Sequence, residues 1–224
     1  MKSIDTIRLR ASLGWLGLLL PWIVLILCVI YQEPAVFGHI FPNSISETYF
    51  YYSTITPFMI ILGSSGILLM CYKGYTWVDD LINTITGIAA LGVCLFPTAV
   101  SINDGADGFV GTFQIPIGVS TIIHAISAVV FFALLSYNCL FLFTKSSGEM
   151  TRNKKIRNII YYICGGGMAL ALVAIVLVGQ IWAGTWWVEA IALMFFGIAF
   201  LTKADIYPWL FCDSAGRDEE TDNA

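Results

Sequence analysis

The amino-acid sequence predicts an all-α membrane protein built as a bundle of six transmembrane helices. Of its 224 residues 58% are apolar and only 12% are charged, and the mean hydropathy is +0.82. Soluble domains carry about 25% charged residues, so this composition excludes an ordinary soluble domain. Six long apolar runs and a one-sided distribution of basic residues are the two further observations that predict this class.

Each apolar run is long enough to cross the hydrocarbon core of a bilayer, which takes about 20 helical residues. The runs lie near residues 12–31, 52–72, 81–100, 118–143, 157–180 and 185–202. The first run follows Arg8 and Arg10, as the apolar part of a signal peptide would. It is longer than such a segment, however, and no small-residue cleavage site follows it. We therefore expect a retained transmembrane helix.

All basic residues fall on one side of this topology. With six spans, both termini and the loops near 73–80 and 144–156 share one face. The basic residues lie there or at the adjoining helix ends: Lys2, Arg8, Arg10, Lys73, Lys145, Arg152, Lys154, Lys155, Arg157, Lys203 and Arg217. The positive-inside rule assigns this face to the cytoplasm. We expect residues 1–11 and 205–224 to be cytoplasmic tails of a membrane domain over residues 12–204.

Charge and cysteine usage exclude several kinds of partner and cofactor. The net charge of -4 comes largely from the acidic tail, and the remainder of the chain is close to neutral, so no nucleic-acid partner is expected. The six cysteines lie in spans or on the cytoplasmic side, and none forms a C-x-x-C pair. They are predicted to be small packing residues rather than disulfides or zinc ligands. We expect no metal and no cofactor.

Small residues in three spans predict where the helices pack. Lipid supplies no hydrophobic force between helices, so close approach through Gly, Ala, Ser and Thr has to hold them together. The third span carries Thr86 and Ala90 at spacing four, and the second and fifth contain small-residue runs at 63–66 and 165–167. These positions are expected to be contacts within one bundle. A dimer face or a hinge at the three glycines of the fifth span is the alternative.

Two ionisable residues inside the spans define a candidate site. Glu189 lies about 6 Å, and His124 about 9 Å, below the outer ends of the sixth and fourth spans. A charged side chain costs about 2.5–3.5 kcal/mol at the centre of a span and normally faces a partner inside the bundle. We expect a hydrogen bond between Glu189 and His124. The pair is interpreted either as a structural clasp between two helices or as part of a binding site.

Further polar groups gather at the same outer end. Ser120 and Ser127 share the helix face of His124 by their spacing, and the third span ends in Phe96-Pro97-Thr98. Asp104 belongs to a glycine-rich outer loop, which is interpreted as a turn rather than a calcium site because EF-hand spacing is missing. The candidate ligand-binding residues are His124, Glu189, Ser120, Ser127, Thr98, Asp104 and Glu47.

The sequence assigns no catalytic residue. A histidine oriented by a carboxylate is suited to general-base work or to proton relay, but no G-x-S-x-G, S-x-x-K or H-E-x-x-H motif occurs. Ser127 is too close to His124 along one helix to attack a substrate held between them. The two histidines, His39 and His124, are too few for an intramembrane zinc hydrolase or for bis-His haem ligation. Enzymatic activity is the less favoured class.

Several segments taken together resemble a known family. In chain order they are SISETYFY-x5-PF, CYKGY, GIAALGVCLFPT, H-x2-SA-x2-FF, RNKKIRNIIYYICG and WWVEAIALMFFGIAFLTKAD. This order is similar to a family of six-span bacterial membrane proteins of unknown function, which implies an inner-membrane location. More distantly, the long outer loop and the later histidine pattern resemble the damage-regulated autophagy modulator family. Neither resemblance implies a particular catalytic residue.

Three functions remain open from the sequence. The first is binding of a membrane lipid or small amphipathic ligand in an outward-facing polar pocket, as a sensor, accessory factor or scaffold. The second is a small transporter or proton-coupled carrier, which would favour interrupted helices or an inverted repeat. The third is a membrane-embedded hydrolase that uses His124 as its base and needs a serine, water or metal within hydrogen-bond reach. A homo-oligomer is compatible with all three.

Overall fold

Six long helices make up nearly all of the computed structural model. It describes residues 4–31, 41–98, 108–145, 150–178 and 184–206. The helices are α1 (Ile4–Tyr31), α2 (Tyr52–Cys71), α3 (Trp77–Leu95), α4 (Ile117–Tyr137), α5 (Arg152–Val178) and α6 (Thr185–Lys203). Each is long and apolar enough to cross a membrane. The predicted all-α bundle of six helices is confirmed, and the chain has the architecture of a multi-pass membrane protein.

The helix ends follow local sequence signals that differ from the hydropathy boundaries. α1 already begins at Ile4, and α5 at Arg152, because charged residues are compatible with helical turns that project beyond an apolar core. α3 begins after a capping box in which the Thr76 and Asp79 side chains bond to each other's backbone N–H. Its regular part ends at Leu95, since Pro97 cannot continue the helix.

Three short irregular elements were not predicted. A 3₁₀-helix over Ser46–Phe50 leads into α2, and α4 continues as a π-helical segment over Asn138–Leu142. A small antiparallel hairpin pairs Phe109 with Pro116 ahead of α4. The hairpin packs closely against the residues that follow α3. A Cβ atom on Gly111, whose φ is 75°, would come within 2.9 Å of the Pro97 ring.

The six helices close into a ring. Each helix packs against the next one along the chain, and α6 packs against α1. Successive helices run in opposite directions, so every neighbouring pair in the ring is antiparallel. This arrangement gives all six helices access to one shared interior.

Glycines allow the closest helix contacts. A Cβ atom on Gly66 of α2 would lie 2.9 Å from the carbonyl oxygen of Gly87 on α3. A Cβ on Gly197 of α6 would lie 2.7 Å from the carbonyl oxygen of Gly14 on α1. A Cβ on Gly167 would overlap the Phe195 ring of α6. The predicted contacts of the second and fifth spans are therefore present, although their partners could not be read from the sequence.

The two ends of the ring differ in charge, and we name them accordingly. The basic end holds the first turns of α1 and α5, the segments after α2 and α4, and the end of α6, and every described Lys and Arg lies there. The cavity end holds residues 41–51, 96–98, 108–116 and 184–185. No Lys or Arg occurs in any connection at the cavity end, since the sequence has none between residues 11–72, 74–144 or 158–202.

An aromatic cluster fills the ring interior at the basic end. It consists of the buried side chains Tyr72, Phe143, Tyr161, Phe196 and Phe200. The ring centre of Phe200 lies 5.8 Å from that of Tyr72, 5.0 Å from Phe143 and 4.9 Å from Phe196. These are ordinary edge-to-face separations for packed aromatic pairs. The interior is therefore closed at this end.

Two cations close the aromatic cluster and cap helix ends. Lys203 Nζ lies 5.4 Å from the centre of the Phe143 ring and donates a hydrogen bond to the Phe143 carbonyl at 3.0 Å. Arg10 lies over the Tyr72 ring at 5.3 Å and donates to the Lys203 carbonyl at 3.4 Å. Both cations thus satisfy carbonyl oxygens at helix C-termini, where positive charge is favourable.

A carboxylate completes the basic end. Asp79, whose side chain is 2% exposed, accepts a hydrogen bond from Lys145 Nζ at 2.9 Å. It also accepts from the backbone N–H of Tyr75 at 3.1 Å, which fixes the short connection between α2 and α3. Asp79, Lys145, Arg10 and Lys203 therefore bond to one another or to the backbone at this end.

Candidate functional site

A cavity of about 660 Å³ lies inside the ring toward the cavity end. Every helix contributes to its wall, through Leu20, Phe58, Val93, His124, Leu172 and Glu189. The segment formed by residues 43–47, here called the 43–47 segment, also lines it. Its volume is within the range of about 300–1,000 Å³ that is usual for small-molecule sites.

The lining of the cavity changes from polar to apolar along α4 and α6, whereas the lining residues of α1, α2, α3 and α5 are apolar throughout. On α6, Thr185 and Glu189 precede Leu193, and on α4, His124 precedes Phe131 as the chain moves away from the cavity end. The polar lining residues lie toward the cavity end and are Asn43, Ser44, Ser46, Glu47, Thr98, Thr121, His124, Thr185 and Glu189. The apolar lining includes Leu20, Phe58, Leu62, Phe131, Phe132, Leu172 and Leu193. The cavity is therefore amphipathic, with its polar groups gathered at the cavity end.

His124 is held by two hydrogen bonds that define its tautomer. Its Nδ1 lies 2.8 Å from the carbonyl oxygen of Phe96. A carbonyl only accepts hydrogen bonds, so Nδ1 carries the hydrogen. In the neutral ring Nε2 is then the acceptor, and the Ser46 hydroxyl donates to it at 3.0 Å.

Glu189 fixes the 43–47 segment to the start of α6. Its Oε2 accepts a hydrogen bond from the backbone N–H of Ile45 at 2.6 Å. One turn earlier, the backbone N–H of Trp186 donates to the carbonyl of Asn43 at 2.7 Å. The carboxyl group of Glu189, one turn inside an apolar helix, thus has a backbone hydrogen-bond donor. The donor belongs to the 43–47 segment, which folds into the ring.

The direct hydrogen bond expected between His124 and Glu189 is replaced by a bridge. In the described part of the chain, Glu189 bonds to Ile45, and His124 bonds to Ser46 and to Phe96. Both side chains line the same cavity, as their similar depth predicted. The physical reason for the bridge is that the 43–47 segment folds inward and reaches both helices, which no helical periodicity can predict.

The remaining candidates separate into two groups. Thr98 and Glu47 line the cavity, and Glu47 Oε2 accepts from the backbone N–H of Asn43 at 2.6 Å. Ser120 is fully buried beside the site and donates to the carbonyl of Pro97 at 2.7 Å, so it supports the end of α3. Ser127 instead packs against Gly92 of α3 and lines a second cavity of about 410 Å³ between α3 and α4.

Asp104 lies outside the described residues, as does Asp107. Within the described ranges, no three His, Cys, Asp or Glu side chains come together as a metal-binding group. The polar groups that line the cavity are carboxyl, hydroxyl, amide and imidazole groups.

Sequence reasoning missed Ser46 as the partner of His124. The two residues are 78 positions apart, and Ser46 belongs to a loop that hydropathy places outside the membrane. The other partner of His124, the carbonyl of Phe96, has a clearer signal in the sequence. Pro97 has no backbone N–H, so carbonyls of the last turn of α3 lack helical partners and need an outside donor such as His124.

The chain was compared with models of protein families, with curated proteins and with solved structures, and none of the three comparisons found a match. The resemblance to the six-span bacterial family and to the autophagy modulators stays a prediction from the sequence. The geometry of the cavity is the basis for the functional conclusion.

Proposed function

We propose that this protein binds a membrane lipid or another amphipathic ligand in the cavity enclosed by its six helices. One observation carries the proposal: a single cavity, shared by all helices, has hydroxyl, carboxyl and imidazole groups at one end and aromatic and aliphatic side chains at the other. An apolar pocket with a few convergent polar groups is the usual form of a small-molecule site. The role is that of a sensor, accessory factor or scaffold.

The positive-inside rule orients the site. Counted over short connections, the basic end belongs in the cytoplasm. The polar part of the cavity then lies near the outer surface of the membrane. A ligand would place its head group near the 43–47 segment and its hydrocarbon toward the bilayer centre.

Transport is the first alternative, and the aromatic cluster argues against it. Passage through the ring would require an opening at the basic end, where Tyr72, Phe143 and Phe200 are at most 5% exposed. Lys203 and Arg10 close the same region through hydrogen bonds to helix termini. The closed end argues against a continuous channel, and the uninterrupted helices of the described bundle argue against a carrier, which would favour interrupted ones.

A hydrolase or acyltransferase is the second alternative, and the Ser46–His124 hydrogen bond favours it. Ser46 Oγ would attack an ester carbonyl, its proton would pass to His124 Nε2, and that proton would then go to the departing alcohol. The negative charge that develops on the carbonyl oxygen would be unfavourable here, since Glu47 and Glu189 line the same cavity. Ligand binding is therefore the better supported function.

Bound lipid in the purified protein tests the proposal. Ala128→Trp would place an indole in the cavity and is expected to lower the amount of copurifying lipid about tenfold, as measured by lipid mass spectrometry. Ile126→Trp is the matched control, since Ile126 lies on the same helix, is 61% exposed and does not line this cavity. Equal lipid content in both variants would contradict binding in the cavity.

Covalent labelling separates binding from catalysis. A lipid-like fluorophosphonate reacts with serines that a neighbouring base activates. We expect no labelling of Ser46 above the level of Ser127, which packs against α3 away from the cavity. Strong labelling of Ser46 that disappears in His124→Ala would establish the second alternative instead.

A further inference from the structure

The cavity reaches the lipid-facing surface between two helices. Val129 on α4 and Val176 on α5 both line it, yet they are 41% and 59% exposed. Ala125, one turn before Val129, is exposed and lines the cavity as well. α5 packs more densely against the π-helical segment Asn138–Leu142, near the basic end, than against α4 itself. This gap lies within the membrane-spanning part of both helices.

The edges of the gap have no polar groups that would favour water. The cavity-lining residues on the two helices here are Ala125, Val129, Leu172, Ile175 and Val176. An opening with apolar edges in the hydrocarbon region is accessible to the acyl chains of lipids rather than to water. A molecule that uses it must already be dissolved in the bilayer.

The polar end offers no cation to an anionic head group. Glu47 and Glu189 line the cavity there, while the chain has no Lys or Arg in any connection at the cavity end. An anionic head group would therefore be buried without a charge partner, which is costly. Carboxyl and hydroxyl oxygens, by contrast, accept hydrogen bonds from hydroxyl or amine groups.

The size of the cavity fits one hydrocarbon chain. A volume of about 660 Å³ accommodates a single-chain lipid with a compact head, whereas a phospholipid would have to leave part of itself in the bilayer. The aromatic lining residues Phe58, Phe131 and Phe132 would contact such a chain.

We propose that the occupant is a single-chain lipid whose head group donates hydrogen bonds and carries no negative charge, and that it enters from the bilayer between α4 and α5. A monoacylglycerol is the simplest lipid of this class. This inference rests on the proposed function, because it specifies the ligand and the route for the same cavity.

The route is tested with a photoreactive monoacylglycerol supplied in vesicles to the protein in vesicles. The double variant Val129→Trp with Val176→Trp narrows the gap and should slow labelling about tenfold. The matched control is Ile126→Trp with Val173→Trp, three residues away on the same helices, exposed and outside the cavity lining. Val129→Ala with Val176→Ala widens the gap and should accelerate labelling. Equal rates in the narrowed and control variants, or no acceleration in the widened one, would overturn the route.

The head group is tested by competition against the same probe. Monopalmitoylglycerol should compete at a concentration about tenfold lower than its 3-phosphate, which differs only by an anionic group. Equal or better competition by the phosphate would overturn the predicted head group while leaving lipid binding in the cavity intact. If neither lipid competes and the wild type is not labelled, the single-chain ligand is wrong; the proposed function itself fails only if Ala128→Trp and Ile126→Trp also copurify with equal amounts of lipid.

Discussion

The two ends of the ring use polar residues in opposite ways. At the basic end, Asp79, Lys145, Arg10 and Lys203 bond to one another or to backbone carbonyls, and an aromatic cluster fills the space between the helices. At the cavity end, polar side chains hold the 43–47 segment in place and leave about 660 Å³ unfilled. The first arrangement stabilises the bundle, and the second leaves a cavity within it.

This difference has an energetic basis. Protein interiors are normally packed to about 0.74–0.76 of their volume, and an unfilled space forfeits dispersion contacts. A ring closed at both ends by aromatic residues would be more stable than one that encloses a cavity. Mutations at the two ends should therefore affect different properties.

The largest effect on stability is expected at the basic end. Phe200→Ala removes a fully buried ring that contacts Tyr72, Phe143 and Phe196. Such truncations cost about 3–5 kcal/mol, which unfolding in mixed detergent would measure. Phe141→Ala is the control, because Phe141 is 55% exposed near the same end. A similar loss in both variants would mean that the aromatic cluster is not the main support of this end.

The buried carboxylate of the basic end should have the next largest effect. Asp79→Asn weakens the bond to Lys145, and hydrogen bonds to charged groups contribute about 1.5–3 kcal/mol. Asp80→Asn, the neighbouring change, should cost less than about 1 kcal/mol, since the Lys73 side chain that pairs with Asp80 is 85% exposed. Equal losses in thermal unfolding would contradict the distinction between a buried and an exposed pair.

Hydropathy and charge were sufficient to predict the fold class, the six helices and the clustering of basic residues at one end. These features depend on the average environment of each segment. Depth along the helices also placed His124 and Glu189 at one cavity. The partners of these residues depended on the path of the 43–47 segment, which has no periodic pattern. Ser127 was misplaced for a related reason: residues three apart on a helix differ in direction by about 60°, enough to face α3 instead of the cavity.

Two substitutions of Glu189 test how this side chain holds the 43–47 segment in place. Glu189→Leu leaves the backbone N–H of Ile45 without its acceptor, which should cost about 1–2 kcal/mol in thermal unfolding. Glu189→Gln retains an acceptor oxygen and should change stability by less than about 0.5 kcal/mol. A glutamine variant as unstable as the leucine variant would show that charge, rather than the hydrogen bond, holds the segment.

The smallest effect on stability is expected for a hydroxyl that faces the cavity. Thr98→Val conserves shape and should alter stability by less than about 0.5 kcal/mol. If Thr98 contacts the ligand head, the affinity for monoacylglycerol should fall about fivefold, the value of one ordinary hydrogen bond. Thr84→Val, a change on α3 outside the cavity lining, serves as the control in the same competition assay. Unchanged affinity in Thr98→Val would exclude this hydroxyl from the head-group contacts.

The most direct test of the cavity as a lipid site is to map where a photoreactive monoacylglycerol attaches. A diazirine midway along the chain should label residues of the apolar part of the cavity, such as Phe132, Leu172 and Leu193. Excess unlabelled monoacylglycerol should abolish those adducts. Adducts confined to exposed outer positions such as Ile60 and Ile88, unaffected by competitor, would contradict the account.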